Sequence, residues 1–337
     1  MSIMIERRFP SCRLRRIRGS SWSRALTREV KLTVDDLIQP VFVCSGLGVK
    51  YAVESMPGIF RMSPDILISY LEDIEDLGIR CIFLFPCVEH SLRSSSCEEA
   101  WNPDNLICRV IRMLTDRFPD IGIVADVALD PYNISGHDGI VINGHVDNDV
   151  TNEALVKSAL VQVQAGAAAL GLSDMMDGRV KRIRDELESR GYLNTMLFSY
   201  TAKYASSLYS PFREAVGSAS HLKGDKKTYQ MDYANLDEAI HEAAMDLREG
   251  ADALIVKPGM MYLDVCHQIK QTFRVPVFAY QVSGEYSMIC AAASNGWICK
   301  ADIVMESMYA YKRAGCDCII SYFAAYVAEK INSSYSL

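Results

Sequence analysis

The sequence predicts an α/β fold: a (β/α)₈ TIM barrel, over residues 36–337, with an extended N-terminal arm over residues 1–35. Three observations carry this expectation. Eight short apolar runs rich in β-branched residues recur along the chain, most pairs of runs are separated by segments with helical periodicity, and the whole fits in about 300 residues. Continuous apolar runs suit parallel strands buried on both faces. A doubly wound sheet is the alternative, but no glycine-rich fingerprint follows the first run.

The runs, in order, are "LIQPVFV" (37–43), "CIFLFP" (81–86), "IGIVADVAL" (121–129), "AAALGLS" (167–173), "TMLFSYTAK" (195–203), "ALIVKP" (253–258), "VPVFAYQV" (275–282) and "CIISYF" (318–323). Between the first two lies "SPDILISYLEDIEDLGI" (63–79), which opens with Ser-Pro, repeats Leu and Ile at helical spacing and closes at Gly78. "NEALVKSALVQVQAGA" (152–167) and "LDEAIHEAAMDLREGAD" (236–252) follow the same plan, with Gly166 and Gly250 as stops. The first 35 residues are basic, contain Ser-Ser-Trp-Ser and lack strand periodicity. They read as an arm that reaches another subunit, with a disordered tail as the alternative.

Composition limits the function classes. The chain has 337 residues, 50% of them hydrophobic and 23% charged, a balance suited to a large packed core. A net charge of −7 with no long basic run argues against a nucleic-acid partner. No run approaches the roughly 18 apolar residues of a membrane span, and the N-terminus lacks a secretory h-region. The 11 cysteines are scattered, many within apolar runs, and read as reduced small hydrophobes of a cytoplasmic protein. Nothing near the pair Cys316 and Cys318 completes a metal set.

Chemistry on such a barrel gathers at the C-terminal ends of the strands. Lys203 ends the fifth run and Lys257 the sixth, the latter followed at once by Pro258 and Gly259. Neighbouring strands lie roughly 4.8 Å apart, so both amines can open into one cavity. Burial and a second cation nearby each lower a lysine pKa, which leaves a neutral amine suited to forming a Schiff base with a ketone. Asp126 falls inside the third run, where a carboxylate without a partner is costly. Ser283 closes the seventh run and Tyr322 the eighth, while Arg213 follows Lys203 on the loop above. Lys226 and Lys227 belong to "HLKGDKKTYQ" (221–230), a polar segment long enough to serve as a lid. Cationic loops and hydroxyls around two amines suit an anionic keto substrate.

Together "ALIVKPGMMYLDV", "SYTAKYASSLYSPFREAVGSA", "YQVSGEYSM" and "DLIQPVFV" resemble the porphobilinogen synthase (5-aminolevulinate dehydratase) family, from "RLRRIR" at 13–18 to "IISYF" at 319–323. The resemblance implies a homo-octamer of barrels with N-terminal arms. It also implies condensation of two 5-aminolevulinate molecules to porphobilinogen, with loss of two waters, in tetrapyrrole (haem) synthesis. Residue by residue, Lys257 matches the principal Schiff-base lysine and Lys203 the lysine that engages the other substrate. Arg213 and Lys226 match the cations that hold one carboxylate, and Ser283 and Tyr322 match the groups that hold the other. Asp126 remains a candidate for positioning an amine or a water.

One motif departs from the family pattern. Where many members carry three zinc-binding cysteines, "DVALDPYNISGHDG" offers Ala128, Asp130 and Asp138. An alanine and two carboxylates do not supply the thiolates zinc favours; hard oxygen ligands favour Mg²⁺ or a monovalent cation. The expectation is therefore no catalytic zinc and no organic cofactor. If a cation is held at the active site, Asp130 and Asp138 are its candidate ligands. The zinc-independent branch carries an allosteric Mg²⁺, and the matching carboxylate here is Glu242, which by itself reads as an exposed helix residue. His137 and His145 read as loop residues without a metal set. A class I aldolase and a ligand or metal sensor that has kept the barrel are the rival readings.

Overall fold

The computed structural model describes residues 7–216, 222 and 224–335. Part of the arm (1–6) and two positions of the predicted lid (221 and 223) lie outside the described residues. Eight parallel strands form the barrel: β1 (Leu37–Cys44), β2 (Cys81–Cys87), β3 (Gly122–Val127), β4 (Ala169–Leu172), β5 (Met196–Lys203), β6 (Ala253–Lys257), β7 (Val277–Gln281) and β8 (Cys318–Ser321). Each pairs with the next in sequence, and β8 returns to β1 through Leu37↔Ile319 and Ile38↔Ile320. Closure leaves no open edge on these eight strands, and a small hairpin (Lys50–Ala52 and Phe60–Met62) is added at β1. This is the TIM barrel expected from the sequence.

The outer ring is built by α1 (Pro64–Asp76), α2 (Leu106–Arg117), α3 (Asn148–Gln164), α4 (Arg179–Ser189), α5 (Asp237–Glu249), α6 (Leu263–Phe273), α7 (Ser283–Ser294), α8 (Lys300–Ala314) and α9 (Ala324–Tyr335). In α2, Ile107, Val110, Ile111 and Leu114 are buried, the i, i+3, i+4, i+7 stripe of a helix laid against a sheet. The predicted stops hold: Gly78, Gly166 and Gly250 adopt φ of 86°, 109° and 104°, a left-handed conformation in which glycine carries no Cβ penalty.

Inside the barrel the core is aromatic. Phe83 and Phe85 stack with ring centroids 4.9 Å apart, and Tyr200 meets Phe83 edge-on at 6.0 Å. Gly171 on β4 makes room for them, since a Cβ there would lie 2.1 Å from Phe83 Cζ. The strands β1 and β6 are buried along their whole length, as their largely apolar sequence favours, with Gln39 and Lys257 as their buried polar residues.

The arm contains a 3₁₀ turn (Leu14–Arg18) and a short helix (Ser21–Leu26). Phe9, Leu14, Ile17, Trp22 and Leu26 on it are exposed. Arg28 stacks over the Tyr309 ring of α8 at 5.3 Å. All 11 cysteines are free thiols. No helix among the described residues is long and apolar enough to cross a membrane.

Candidate active site

Strand register brings the two lysines together. Lys203 on β5 is the register partner of Lys257 on β6, and both are buried. Their shared orientation depends on an irregularity. Ala253↔Phe198 and Leu254↔Ser199 are followed by Val256↔Ala202 and Lys257↔Lys203, so β5 carries one extra residue between these pairs. Ser199 points outward and bonds Arg179 of α4, whereas Tyr200 points inward against Phe83. Strict alternation from Ser199 would turn Lys203 outward too. The bulge reverses the alternation and directs it into the barrel mouth beside Lys257.

Around these amines lie Asp126, Asp130, Asp138, Ser173, Tyr209, Phe212, Arg213, Lys226 and Gln230. The Lys257 Nζ sits 4.5 Å from the Tyr280 ring centroid, 5.0 Å from that of Phe212, 5.2 Å from Tyr200 and 5.4 Å from Tyr209. Such rings favour an ammonium, yet burial dominates and the Lys203 charge adds to it, so the Lys257 pKa is lowered to about 7. Lys203 donates a short hydrogen bond to the Ser173 carbonyl and lies 3.6 Å from Asp138.

Environment also separates the carboxylates. Burial and the neighbouring Asp130 raise Asp126 to about 7, and its Oδ1 has no hydrogen-bond partner among the described residues. Burial raises Asp130 as well, against the opposing pull of Lys226. Burial would raise Asp138, but Lys203 and Lys226 outweigh it and hold that group down to about 2. The cavity thus holds a neutral-prone amine, a proton-retaining carboxyl and a firmly ionised carboxylate within one wall.

A cover closes over these groups. Lys226 bonds Asp138 at 3.1 Å, and Gln230 reaches the other oxygen of that carboxylate at 3.4 Å. The Tyr229 hydroxyl accepts from the Asp138 backbone N–H at 3.2 Å and lies 3.0 Å from His137 Nδ1. The backbone N–H of Met231 donates to the Lys203 carbonyl at 3.0 Å, continuing the sheet edge. With the cover down only about 30 Å³ remains, room for little more than a water molecule.

Most of the site residues expected from the sequence converge here: Lys203, Lys257, Asp126, Arg213, Lys226, Asp130 and Asp138 line one cavity. No carboxylate of the described residues pairs with Arg213. Ser283 and Tyr322 stand one layer behind. The Ser283 hydroxyl accepts from the Phe212 N–H at 2.9 Å, and the Tyr322 hydroxyl lies 3.1 Å from that of Tyr280. Lys227 is exposed, unlike its neighbour Lys226, because the cover turns here: the Tyr229 and Gln230 N–H groups donate to the Lys226 carbonyl, which puts Lys226 and Gln230 on the cavity side and leaves Lys227 outside. Ser173, Tyr209, Phe212 and Gln230 were not singled out from the sequence. The position of Ser173 directly after the end of β4 is the signal that could have found it.

Glu242 corrects an expectation. It is half-buried rather than exposed, on α5, and burial together with Asp246 and Asp177 raises it to about 7 against the pull of Arg179. With His145, Asn148, Asp177 and Glu238 it lines a separate cavity of about 400 Å³. Among the described residues no three His, Cys, Asp or Glu side chains converge as a metal set. Ala128, Asp130 and Asp138, an alanine and two carboxylates, supply no thiolate, a donor set that does not fit zinc. Glu242, facing a polar cavity with Asp177 and Glu238 nearby, does fit Mg²⁺, which retains several of its waters.

The family model for delta-aminolevulinic acid dehydratase matches residues 11–330. The chain is 50% identical over 321 residues to the delta-aminolevulinic acid dehydratase of Bradyrhizobium diazoefficiens, covering 95% of this chain and 91% of the relative. It is 48% identical over 325 residues to that of Rhodobacter capsulatus, covering 96% and 98%. Among solved structures, the delta-aminolevulinic acid dehydratase (porphobilinogen synthase) of Toxoplasma gondii in complex with the reaction product porphobilinogen matches with a TM-score of 0.93 at 44% identity, over 95% of this chain and 91% of that one.

Proposed function

The chain belongs to the delta-aminolevulinic acid dehydratase family and condenses two 5-aminolevulinate molecules to porphobilinogen; from that premise we propose how its residues divide the work. Lys257 forms an imine with the C4 ketone of one substrate, releasing a water. Lys203 forms an imine with the other. Its formation releases the second water. Each imine withdraws electrons, so a carbon beside the Lys203 imine can lose a proton and attack the C4 imine carbon of the first substrate. The C=N π pair passes to the Lys257 nitrogen, which later leaves as the free amine. The observation that carries this reading is the register pairing of two buried lysines, one of them with a pKa lowered to about 7.

The remaining groups bind and move protons. Arg213 and Lys226 hold one substrate's carboxylate by charge-assisted bonds. Ser283 and Tyr322 hold the other once the layer in front of them, Phe212 and Tyr280, shifts. Asp126, raised to about 7, can accept and return a proton near neutral pH. The cover opens to admit substrates, because the closed cavity of about 30 Å³ holds neither of them.

The reaction needs no catalytic zinc at Ala128, Asp130 and Asp138, although those two carboxylates can hold a cation that orients an amine. Outside the active site, Glu242 would hold Mg²⁺, whose charge would offset the crowding of Glu242, Asp177 and Glu238. The basic arm, with its exposed Phe9 and Trp22, docks on a neighbouring subunit of a homo-octamer. Eleven free thiols suit a reducing, cytoplasmic setting.

Borohydride trapping with 5-aminolevulinate under excess chelator, followed by peptide mass mapping, tests the assignment. A reduced adduct on the peptide that carries Lys257 is expected. Folded protein without that adduct would overturn it.

A further inference from the structure

Arg179, the first residue of α4, lies outside the cavity and is 2% exposed. Its guanidinium reaches acceptors on three elements. It donates to the Met176 carbonyl after β4 at 3.3 Å, to the Ser199 hydroxyl and Tyr200 carbonyl on β5 at 2.9 and 3.4 Å, and to the Asp246 carboxylate on α5 at 3.2 Å. Ser199 in turn donates to Asp246 at 2.7 Å, which closes a triangle of bonds. Asp174 stands 3.9 Å from Arg179 Nε and accepts from the Met176 N–H at 2.7 Å.

These are the two backbone stretches that set Lys203. The Tyr200 carbonyl belongs to the bulge that reverses the face of β5. Ser173, whose carbonyl accepts from the Lys203 ammonium, directly precedes Asp174 in the turn that Arg179 holds. A buried guanidinium is tolerated only when it is well paired, and a hydrophobic residue would often serve stability as well. Aiming such a group at an irregular strand is explained by what the irregularity does.

We propose that Arg179 is a positioning residue for the condensation: bonded at once to the β5 bulge and to the turn after β4, it holds Lys203 facing into the cavity beside Lys257. This rests on the reading of Lys203 as the lysine that engages the second substrate.

The test uses the full chain with Arg179→Lys and Ser199→Ala, and Lys203→Met as reference. Turnover per folded protein is compared with the rate of borohydride trapping of 5-aminolevulinate at Lys257, which needs only the first lysine. For Arg179→Lys, kcat falls about 100-fold while Lys257 trapping stays within about twofold of wild type, the size of loss that remote misplacement of a reacting group by about 1 Å produces. Ser199→Ala, which keeps the charge cluster and removes one hydroxyl, shows the same split at about 10-fold, and it carries the test if Arg179→Lys does not fold. Turnover retained in the folded variants, or turnover and trapping lost in proportion, overturns the proposal and leaves Arg179 a residue of the fold alone. Full turnover in Lys203→Met removes the underlying reading instead, whatever the Arg179 variants do.

Discussion

Lys203 and Lys257 are register partners on adjacent parallel strands, and one inserted residue on β5 is what puts both on the same face. Replacing Lys257 by Met leaves the barrel intact and lowers kcat on the order of 10³-fold or more, since losses of this size follow removal of a covalent catalyst. Steady-state turnover beside a circular dichroism spectrum checks this; a folded variant with wild-type turnover contradicts it.

The lowered pKa of Lys257 sets a pH profile. The neutral amine is the nucleophile, so the initial trapping rate rises with pH through a midpoint of about 7. Lys203→Met deletes a neighbouring positive charge, which favours the Lys257 ammonium and moves that midpoint upward. Rates measured from pH 5 to 10 decide both points. A wild-type midpoint near the ordinary lysine value sinks the argument from burial.

The same shift acts on stability. Between the folded value of about 7 and the unfolded lysine value, the unfolded chain binds more protons, so stability rises with pH through that window. Lys257→Met removes the cost of that buried amine. The variant is more stable than wild type at pH 7 by about 1–4 kcal/mol, and the advantage shrinks toward pH 10. Denaturant melts at the two pH values would reveal an advantage that fails to shrink.

The proposed metal roles divide by site. A zinc-selective chelator leaves turnover unchanged, because Ala128, Asp130 and Asp138 supply no thiolate. Glu242→Gln abolishes activation by Mg²⁺ while trapping at Lys257 without added metal persists. Magnesium titrations of both proteins check this, and an undiminished response in the variant removes Glu242 as the ligand.

Gly171→Ala probes the aromatic core. Its Cβ would lie 2.1 Å from Phe83 Cζ, so the stacked rings must shift, at a cost of about 1–3 kcal/mol. A thermal midpoint equal to that of wild type would falsify the packing argument.

The barrel was legible because buried parallel strands write themselves as continuous apolar runs; all eight strands fall within the runs read from the sequence, apart from Cys44 and Cys87 at two strand ends. Lys203 and Lys257 were legible as polar residues at strand ends. The face of Lys203 was not, since an extra residue between two register pairs leaves no mark in a one-dimensional pattern. Arg179 and Glu242 were hidden for a related reason. In "DGRVKRIRDELESR" and "HEAAMDLREG" they look like the charges of solvated helix faces, and only the packing of α4 and α5 against β5 buries them. Gln230 was invisible because its role arises from a loop folding back on Asp138.

The closed cover has a consequence for how anions compete for this protein. Lys226 is already neutralised by Asp138, a carboxylate of the chain itself. At Lys226 an incoming carboxylate therefore exchanges with a resident one, and its gain there is the difference between two similar bonds. Small carboxylates that cannot also engage an amine have little to offer in that exchange. The protein carries its own competitor, and a ligand displaces it by bringing a ketone as well as a charge.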